Sequence, residues 1–176
     1  MKTILIAIIT LFMISSCGEG KKKKSDQKKE TKVVQQSAAS KEGSYTNVAS
    51  GAVVNVAIRT DDRMKFDLNK IVVKAGQKVK LTLTHAGRLG KRIMGHNVVF
   101  LKKGTNVRRF ASKAAGSKGN DFIPVGATSV IAHTKMIGGG ETTTIEFTAP
   151  EVGVYDYICS FPAHYALMKG KLVVVE

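Results

Sequence analysis

The chain lacks an apolar run long enough to cross a lipid bilayer. Its most apolar stretch, residues 4–14, follows the basic start Met1-Lys-Thr3 and is much shorter than the about 20 residues that a spanning helix needs. A short apolar segment behind a positive start is typical of a secretory signal peptide. We therefore expect residues 1–16 to direct export and to be removed.

Cysteine is also scarce, since the 176 residues include only Cys17 and Cys159. The segment Ile14-Ser-Ser-Cys17 resembles the lipobox of bacterial lipoproteins, where small residues precede a cysteine that is acylated and becomes the mature N-terminus. The resemblance implies a lipoprotein-type signal peptide over residues 1–16. It also implies a lipid on Cys17 that anchors the protein to the inner or outer membrane of the bacterial cell envelope, facing the periplasm. An ordinary secretory signal cut nearby is the alternative.

The shortage of cysteine excludes an internal disulfide if Cys17 carries lipid, because Cys159 then has no partner. Without lipid, Cys17 would be free or paired, and a free exposed thiol is a liability in an oxidising compartment. We therefore expect the folded part of the chain to be held together without a disulfide.

Acidic residues are few, with 13 Asp and Glu against 28 Lys and Arg. The positive balance is not confined to a tail, since the residues from Gly43 onward contain 19 basic and 9 acidic side chains and carry a net charge near +10. Nucleic acid is one interpretation of such basicity. Export removes the chain from most nucleic acid, and no aromatic stripe accompanies the charge. An acidic protein partner or an anionic membrane face fits better.

Large apolar side chains are nearly absent from residues 18–50, which open with Gly18-Glu-Gly-Lys-Lys-Lys-Lys24. Such a segment cannot bury enough surface to offset its ordering entropy. We predict a Lys-rich flexible tether over residues 17–50, with a root-mean-square reach of roughly 30 Å. The Lys run lies either on anionic headgroups or in solvent, and the sequence favours neither. The remaining residues, 51–176, suffice for one domain.

Within this domain, four segments alternate apolar and polar residues as half-buried strands do: 52–58, 78–84, 142–148 and 170–175. Short strands separated by Gly, Pro and Asn indicate an all-β sandwich or barrel. Residues 105–115 differ, because Val107, Phe110 and Ala114 recur at helical spacing. We predict one short inserted helix there, with Thr105 as N-cap and Gly116 just past its end.

Candidate metal-binding side chains are concentrated near the C-terminus, where Cys159, His164 and Met168 fall within ten residues. Sulfur ligands select copper, and imidazole suits it as well. His96 supplies a second imidazole just before the apolar run that begins at Val98. Two His and one Cys in a trigonal arrangement with a weak axial Met form the blue-copper electron-transfer site. A cysteine hydrolase is the competing interpretation of a lone Cys with distant His residues, but it gives the Met and Pro of this stretch no role.

Residues 51–176 resemble the azurins of the cupredoxin superfamily. The resemblance rests on four blocks, at residues 67–73, Met94-Gly-His-Asn97, 130–141 and 159–170, and on the spacing Cys-x4-His-x3-Met, since plastocyanin-like relatives have shorter Cys-to-His intervals. It implies a Greek-key β-sandwich or barrel of about eight strands, with the helix outside the barrel, and one type 1 copper per domain. The implied ligands are His96, Cys159 and His164, which bind strongly in one plane, with Met168 and the carbonyl of Gly95 as long axial contacts.

The resemblance also implies supporting roles around the copper. Asn97 is expected to tie the His96 segment to the ligand loop, with an ordinary turn residue as the alternative. The amide of Phe161 is expected to point at the Cys159 sulfur. His85 is expected to be buried, hydrogen-bonded and unliganded, with pH-sensitive tuning of the site as the alternative. Apart from the resemblance, His133 is expected to lie at the surface. The expected apolar docking patch comprises Met64, Leu89, Met94, Phe161, Ala163 and Leu167.

These expectations together predict what the protein does. Three strong ligands and an axial Met leave no open position for a substrate, so we do not expect the protein to be an enzyme. We expect a one-electron carrier that shuttles between redox proteins of the cell envelope, with acidic c-type cytochromes or copper or haem reductases as partners. A copper carrier or store without electron transfer is the alternative, since thioethers bind copper(I).

Overall fold

The computed structural model describes residues 44–46 and 53–176 of the chain. The predicted signal peptide, Cys17 and most of the predicted tether lie outside these residues. Nine strands occur in the described part: β1 (Ser44–Thr46), β2 (Val54–Thr60), β3 (Lys70–Lys74), β4 (Lys78–His85), β5 (Val99–Leu101), β6 (Val130–His133), β7 (Thr142–Thr148), β8 (Gly153–Ile158) and β9 (Lys169–Val175). Two α-helices, α1 (Lys91–Met94) and α2 (Val107–Ala114), and two 3-10 turns, Lys118–Asn120 and His164–Ala166, complete the description.

The strands form two sheets. One has six strands in the order β1-β3-β9-β8-β5-β6, and the other has three in the order β2-β4-β7. The pairs β1–β3, β3–β9 and β2–β4 are parallel, and the others are antiparallel. This arrangement confirms the predicted all-β sandwich.

Alternation in the sequence produces the core between the sheets. In β2 the side chains alternate without exception between buried and exposed, so one face meets the other sheet, as a strand period of two requires. The fully buried core includes Ile58 and Leu81 from the three-stranded sheet and Ile71, Phe100 and Leu172 from the six-stranded sheet. No described helix is long and apolar enough to span a membrane.

Helix α2 covers the other face of the six-stranded sheet. Its Phe110 and Ala114 pack with Val99 and Leu101 of β5 and Ile158 of β8. The helix confirms the prediction over residues 105–115, but its N-cap was assigned wrongly. Asn106 caps the helix by accepting the N–H of Arg109 at 2.9 Å, and the Thr105 hydroxyl instead donates to the carbonyl of Lys102.

Strand β1 lies inside the range 17–50 that the sequence assigns to the tether. Its three residues pair in parallel with residues 70–72 of β3. The six-stranded sheet therefore includes chain that precedes residue 51.

The pairing of β5 with β8 brings distant parts of the sequence to one end of the sandwich. Val99 pairs with Ile158 in an antiparallel register, so the residues before β5 run alongside those after β8. His96 lies in the first group and Cys159 in the second. The loop after Cys159 returns to β9, whose Lys169 pairs with Ile158.

Candidate metal centre

Three buried donors meet at this end of the sandwich. The ligand atoms of His96, Cys159 and His164 all lie within 4.8 Å of one another. The Cys159 Sγ is 3.7 Å from Nδ1 of His164 and 4.0 Å from Nδ1 of His96. All three side chains are buried, His164 retaining only 4% exposure. These are the three residues that the sequence analysis gives as the strongly binding, in-plane ligands.

The spacing of the donors fits a metal ion. Protein-bound zinc, a comparable first-row ion, lies about 2.3 Å from thiolate sulfur and about 2.0–2.1 Å from imidazole nitrogen, which places sulfur and nitrogen about 3.7–3.8 Å apart in a trigonal plane. The two observed sulfur–nitrogen distances bracket that separation. A trigonal set of two imidazoles and one thiolate is characteristic of blue copper.

Hydrogen bonding fixes the tautomer of His96. Its Nε2 lies 3.0 Å from the carbonyl oxygen of Asp61. Because a carbonyl only accepts, Nε2 carries the proton and the Nδ1 lone pair faces Cys159. Metal-binding histidines are usually oriented through such a bond to the second nitrogen.

Burial keeps both imidazoles neutral. It lowers the pKa of His96 from 6.5 to about 4, against the opposing effect of the Asp61 carbonyl, and it lowers the pKa of His164 to about 4 as well. At neutral pH each ring therefore offers a free lone pair, as metal binding requires.

The environment of Cys159 argues against a hydrolase. Burial raises the pKa of its thiol to about 12, although the backbone N–H groups of Asn97 and Phe161 point at the sulfur and act in the opposite direction. Reactive cysteines have lowered pKa values and partly exposed, electropositive surroundings. A metal ion removes the thiol proton on binding, so the same surroundings suit a ligand.

Asn97 connects two of the donor segments. Its Oδ1 accepts the backbone N–H of Ser160 at 2.9 Å, and its Nδ2 donates to the Ser160 hydroxyl at 2.8 Å and to the carbonyl of Asp121 at 2.9 Å. The sequence pointed to Asn97 but not to Ser160 or Asp121. The position of Ser160 directly after a predicted ligand was a usable signal, whereas nothing near Asp121 marked it.

The two residues predicted as axial contacts lie next to the three donors. Met168 is fully buried, its N–H donates to the carbonyl of His164 at 2.8 Å, and the carbonyl of Gly95 is 3.9 Å from the Cys159 sulfur. Gly95 has no room for a side chain, since a Cβ would stand 2.5 Å from the Lys91 carbonyl oxygen and 2.9 Å from the Met136 sulfur.

The two other histidines lie outside the cluster. His85 is fully buried, accepts the N–H of Gly87 at Nδ1 and contacts the Met94 carbonyl through Nε2. Its ring stacks on His96 with centroids 4.5 Å apart. His133 is half-buried and its Nδ1 is 3.1 Å from the Thr134 carbonyl.

The predicted docking residues are accessible to different degrees. Leu167 is 62% exposed, Leu89 and Ala163 are also exposed, and Met64, Met94 and Phe161 are half-buried. Sequence reasoning missed Ile93, which is 67% exposed in the short helix α1. Its place two residues before Gly95 was the signal that could have found it.

Known proteins resemble the chain over this whole domain. Residues 52–175 match the model of the copper-binding proteins of the plastocyanin/azurin family. Azurin-1 of Alcaligenes xylosoxydans xylosoxydans is 39% identical over 129 residues, which cover 71% of this chain and 100% of that protein. Azurin of Alcaligenes faecalis is 38% identical over 122 residues, covering 67% of this chain and 95% of that protein.

A solved structure agrees in fold. Auracyanin A, a "blue" copper protein from Chloroflexus aurantiacus, superposes with a TM-score of 0.63 at 31% identity, covering 70% of this chain and 100% of its own. The donor set and these similarities together identify one type 1 copper site. The chain belongs to the plastocyanin/azurin family of copper-binding proteins.

Proposed function

We propose that this protein carries single electrons between redox proteins, with His96, Cys159 and His164 as the copper ligands. The observation that carries the proposal is the buried cluster, whose three donor atoms lie within 4.8 Å of one another. Bound copper supplies a one-electron couple between copper(I) and copper(II). The Met168 thioether and the Gly95 carbonyl would be weaker contacts to the same ion.

The chain's own residues hold the donors still and keep water away. His96 is fixed by the Asp61 carbonyl and by stacking on His85, and the Cys159 segment is fixed by Asn97. Donor atoms that keep their positions when the copper changes oxidation state reduce the rearrangement that accompanies electron transfer. Burial of all three also supports a role without substrate chemistry, because a catalytic metal needs an open position.

The face around His164 is the proposed exit for the electron. Leu167 is exposed in the ligand loop, and Leu89 and Ile93 are exposed in the segment that leads to Gly95. A small apolar surface suits a weak encounter with a redox partner. The net charge near +10 from Gly43 onward supports acidic partners, such as c-type cytochromes or copper or haem reductases, because complementary charge accelerates association.

We further propose that the protein works in the bacterial cell envelope, facing the periplasm and anchored through lipid on Cys17. The support is the segment Ile14-Ser-Ser-Cys17 behind a short apolar run. Lipid attachment and a Lys-rich tether would let the copper domain move away from the membrane surface.

The decisive experiment adds copper(II) to the purified metal-free protein and records the visible and electron paramagnetic resonance spectra. An intense blue band with narrow copper hyperfine splitting is expected from a short copper–thiolate bond, and Cys159→Ser is expected to abolish it. A colourless wild type, or a blue Cys159→Ser protein, would overturn the assignment. Electron self-exchange measured beside copper loss to a chelator separates a carrier of electrons, which exchanges fast and keeps its metal, from a carrier of copper.

A further inference from the structure

The loop segment Asp121-Phe122 has an unusual backbone. Asp121 has φ 50° and Phe122 has φ 57°, so two consecutive non-glycine residues occupy the left-handed region. Asp tolerates this conformation, but a bulky aromatic residue rarely adopts it. Such conformations persist where surrounding contacts over-determine them, and they cluster at functional sites.

Asp121 contacts the residue that follows His96 and the segment that pairs with His96. Its carbonyl accepts the Asn97 Nδ2 at 2.9 Å, and its carboxylate Oδ1 accepts the backbone N–H of Met136 at 3.1 Å. Met136 precedes Ile137, which exchanges two backbone hydrogen bonds of 2.9 Å with His96. Asp121 therefore holds both the Met136 segment, which pairs with His96, and the side-chain amide of Asn97, the residue after His96.

The same residue acts indirectly on Cys159. The Asn97 side chain that Asp121 holds also accepts the N–H of Ser160, the residue after Cys159. A shift of the Asp121 carbonyl would thus be transmitted through one side chain to the thiolate segment.

Phe122 extends the contacts to the third donor. Its ring centroid lies 5.2 Å from that of Phe161, and the Phe161 ring lies 4.5 Å from the His164 ring. Phe122 is buried. The Asp121-Phe122 segment consequently reaches all three donor segments without supplying a donor itself.

We propose that Asp121 is a positioning residue of the copper site. Its carboxylate holds the Met136 segment in place beside His96, and its carbonyl holds the Asn97 side chain that binds the Cys159 segment. The inference rests on the proposed function, because it assigns a role within that site. Residues that hold metal ligands from outside commonly change metal affinity by about 10- to 100-fold when they are replaced.

Two substitutions separate the carboxylate from the backbone. Asp121→Gly accepts the left-handed conformation and keeps the carbonyl but removes the acceptor for Met136, whereas Asp121→Asn accepts the same conformation and keeps an acceptor oxygen. Val125→Gly, at a residue that is 89% exposed in the same loop, controls for added loop flexibility. Each variant is compared with wild type in full-length protein.

Two measurements are made. Release of copper(II) to excess EDTA is followed through the visible band, and hydrogen exchange of the Met136 and Ser160 amides is followed by NMR in the metal-free protein. We expect copper release to be about tenfold faster in Asp121→Gly and Met136 exchange to be faster as well. Both rates should stay near wild type in Asp121→Asn and Val125→Gly.

The outcomes are exclusive. The positioning role is overturned if Asp121→Gly releases copper at the wild-type rate. It is also overturned if Asp121→Asn or Val125→Gly releases copper as fast as Asp121→Gly does. Lower unfolding stability with unchanged copper release and amide exchange also overturns it, because that pattern indicates a purely structural residue. A wild type that never turns blue refutes the proposed function instead, and the amide exchange of the metal-free protein still decides the contact made by Asp121.

Discussion

The backbone N–H of Cys159 donates to the carbonyl of Met168 at 3.0 Å, so the two sulfur-bearing residues of the metal centre are hydrogen-bonded across the base of one loop. His164 lies between them, and its carbonyl accepts the N–H groups of both Leu167 and Met168. Backbone bonds therefore shape the loop, which leaves the Met168 side chain free to be changed without opening it.

Met168→Leu tests the axial role of the thioether. Leucine conserves the volume of methionine, so the fold should lose less than about 1.5 kcal/mol. The protein should stay blue and its reduction potential should rise, because the weak axial donor favours copper(II) slightly. A tenfold loss of that preference corresponds to about 60 mV for one electron, measured by spectroelectrochemical titration. Met94→Leu is the control, and an equal rise there, or no rise in Met168→Leu, would contradict axial ligation.

Ala163 is a second test within the ligand loop. It is exposed and has φ 67°, a conformation that costs a residue with a Cβ roughly 1–2 kcal/mol. Ala163→Gly relieves this strain but adds entropy to the unfolded chain, which offsets about 0.5–1 kcal/mol. We expect a net stabilisation of up to about 1.5 kcal/mol, measured by chemical denaturation of the metal-free protein. Ala166→Gly in the 3-10 turn should destabilise instead, and stabilisation by both changes would refute the strain argument.

Charge and salt test how partners approach. Because screening shortens to about 8 Å near physiological ionic strength and about 3 Å at 1 M, added salt should slow second-order electron transfer to an acidic c-type cytochrome. The measurement is stopped-flow mixing over a salt series. Rates that do not change with salt would remove the steering argument.

Leu167→Asp tests the proposed docking face. Leu167 is 62% exposed beside the ligand loop, and a charge placed there must be desolvated when a partner covers it. The rate should fall at every salt concentration. Val152→Asp is the matched control, since Val152 is 51% exposed but lies before β8, about 20 Å along the strand from Cys159. If both variants keep the wild-type rate, electrons leave through another face.

Cys17→Ser tests the anchor. One acyl chain gives only marginal membrane binding, and a lipoprotein cysteine normally carries more than one. The variant should accumulate unprocessed or appear in the soluble fraction, as judged by fractionation and mass of the N-terminus. Normal processing together with unchanged membrane sedimentation would show that Cys17 is not the anchor.

The sequence predicts this fold well where local pattern decides the structure. Alternation in residues 52–58 predicts β2, and the spacing of Val107, Phe110 and Ala114 predicts α2, because each pattern reports which face is buried. The cap of α2 was misassigned by one residue because Thr105 and Asn106 are both good caps, and only the loop geometry selects between them.

The ligands were predictable for a different reason. Cys159, His164 and Met168 lie close together in sequence, and the block around His96 resembles that of azurins. The contacts of Asp121 were not predictable, because they join residues 15 and 24 positions away through side-chain and backbone hydrogen bonds. Such bonds depend on tertiary packing, for which a single sequence carries no periodic signal.

The position of β9 has a consequence for the timing of assembly. This strand lies between β3 and β8, so the six-stranded sheet stays split until residues 169–175 have joined it. Cys159, His164 and Met168 all precede β9 by ten residues or fewer and depend on it to close their loop. A chain whose residues 169–175 are still inside a ribosome or a translocation pore therefore has no assembled copper site, and it can bind the metal in its native geometry only after β9 has joined the sheet.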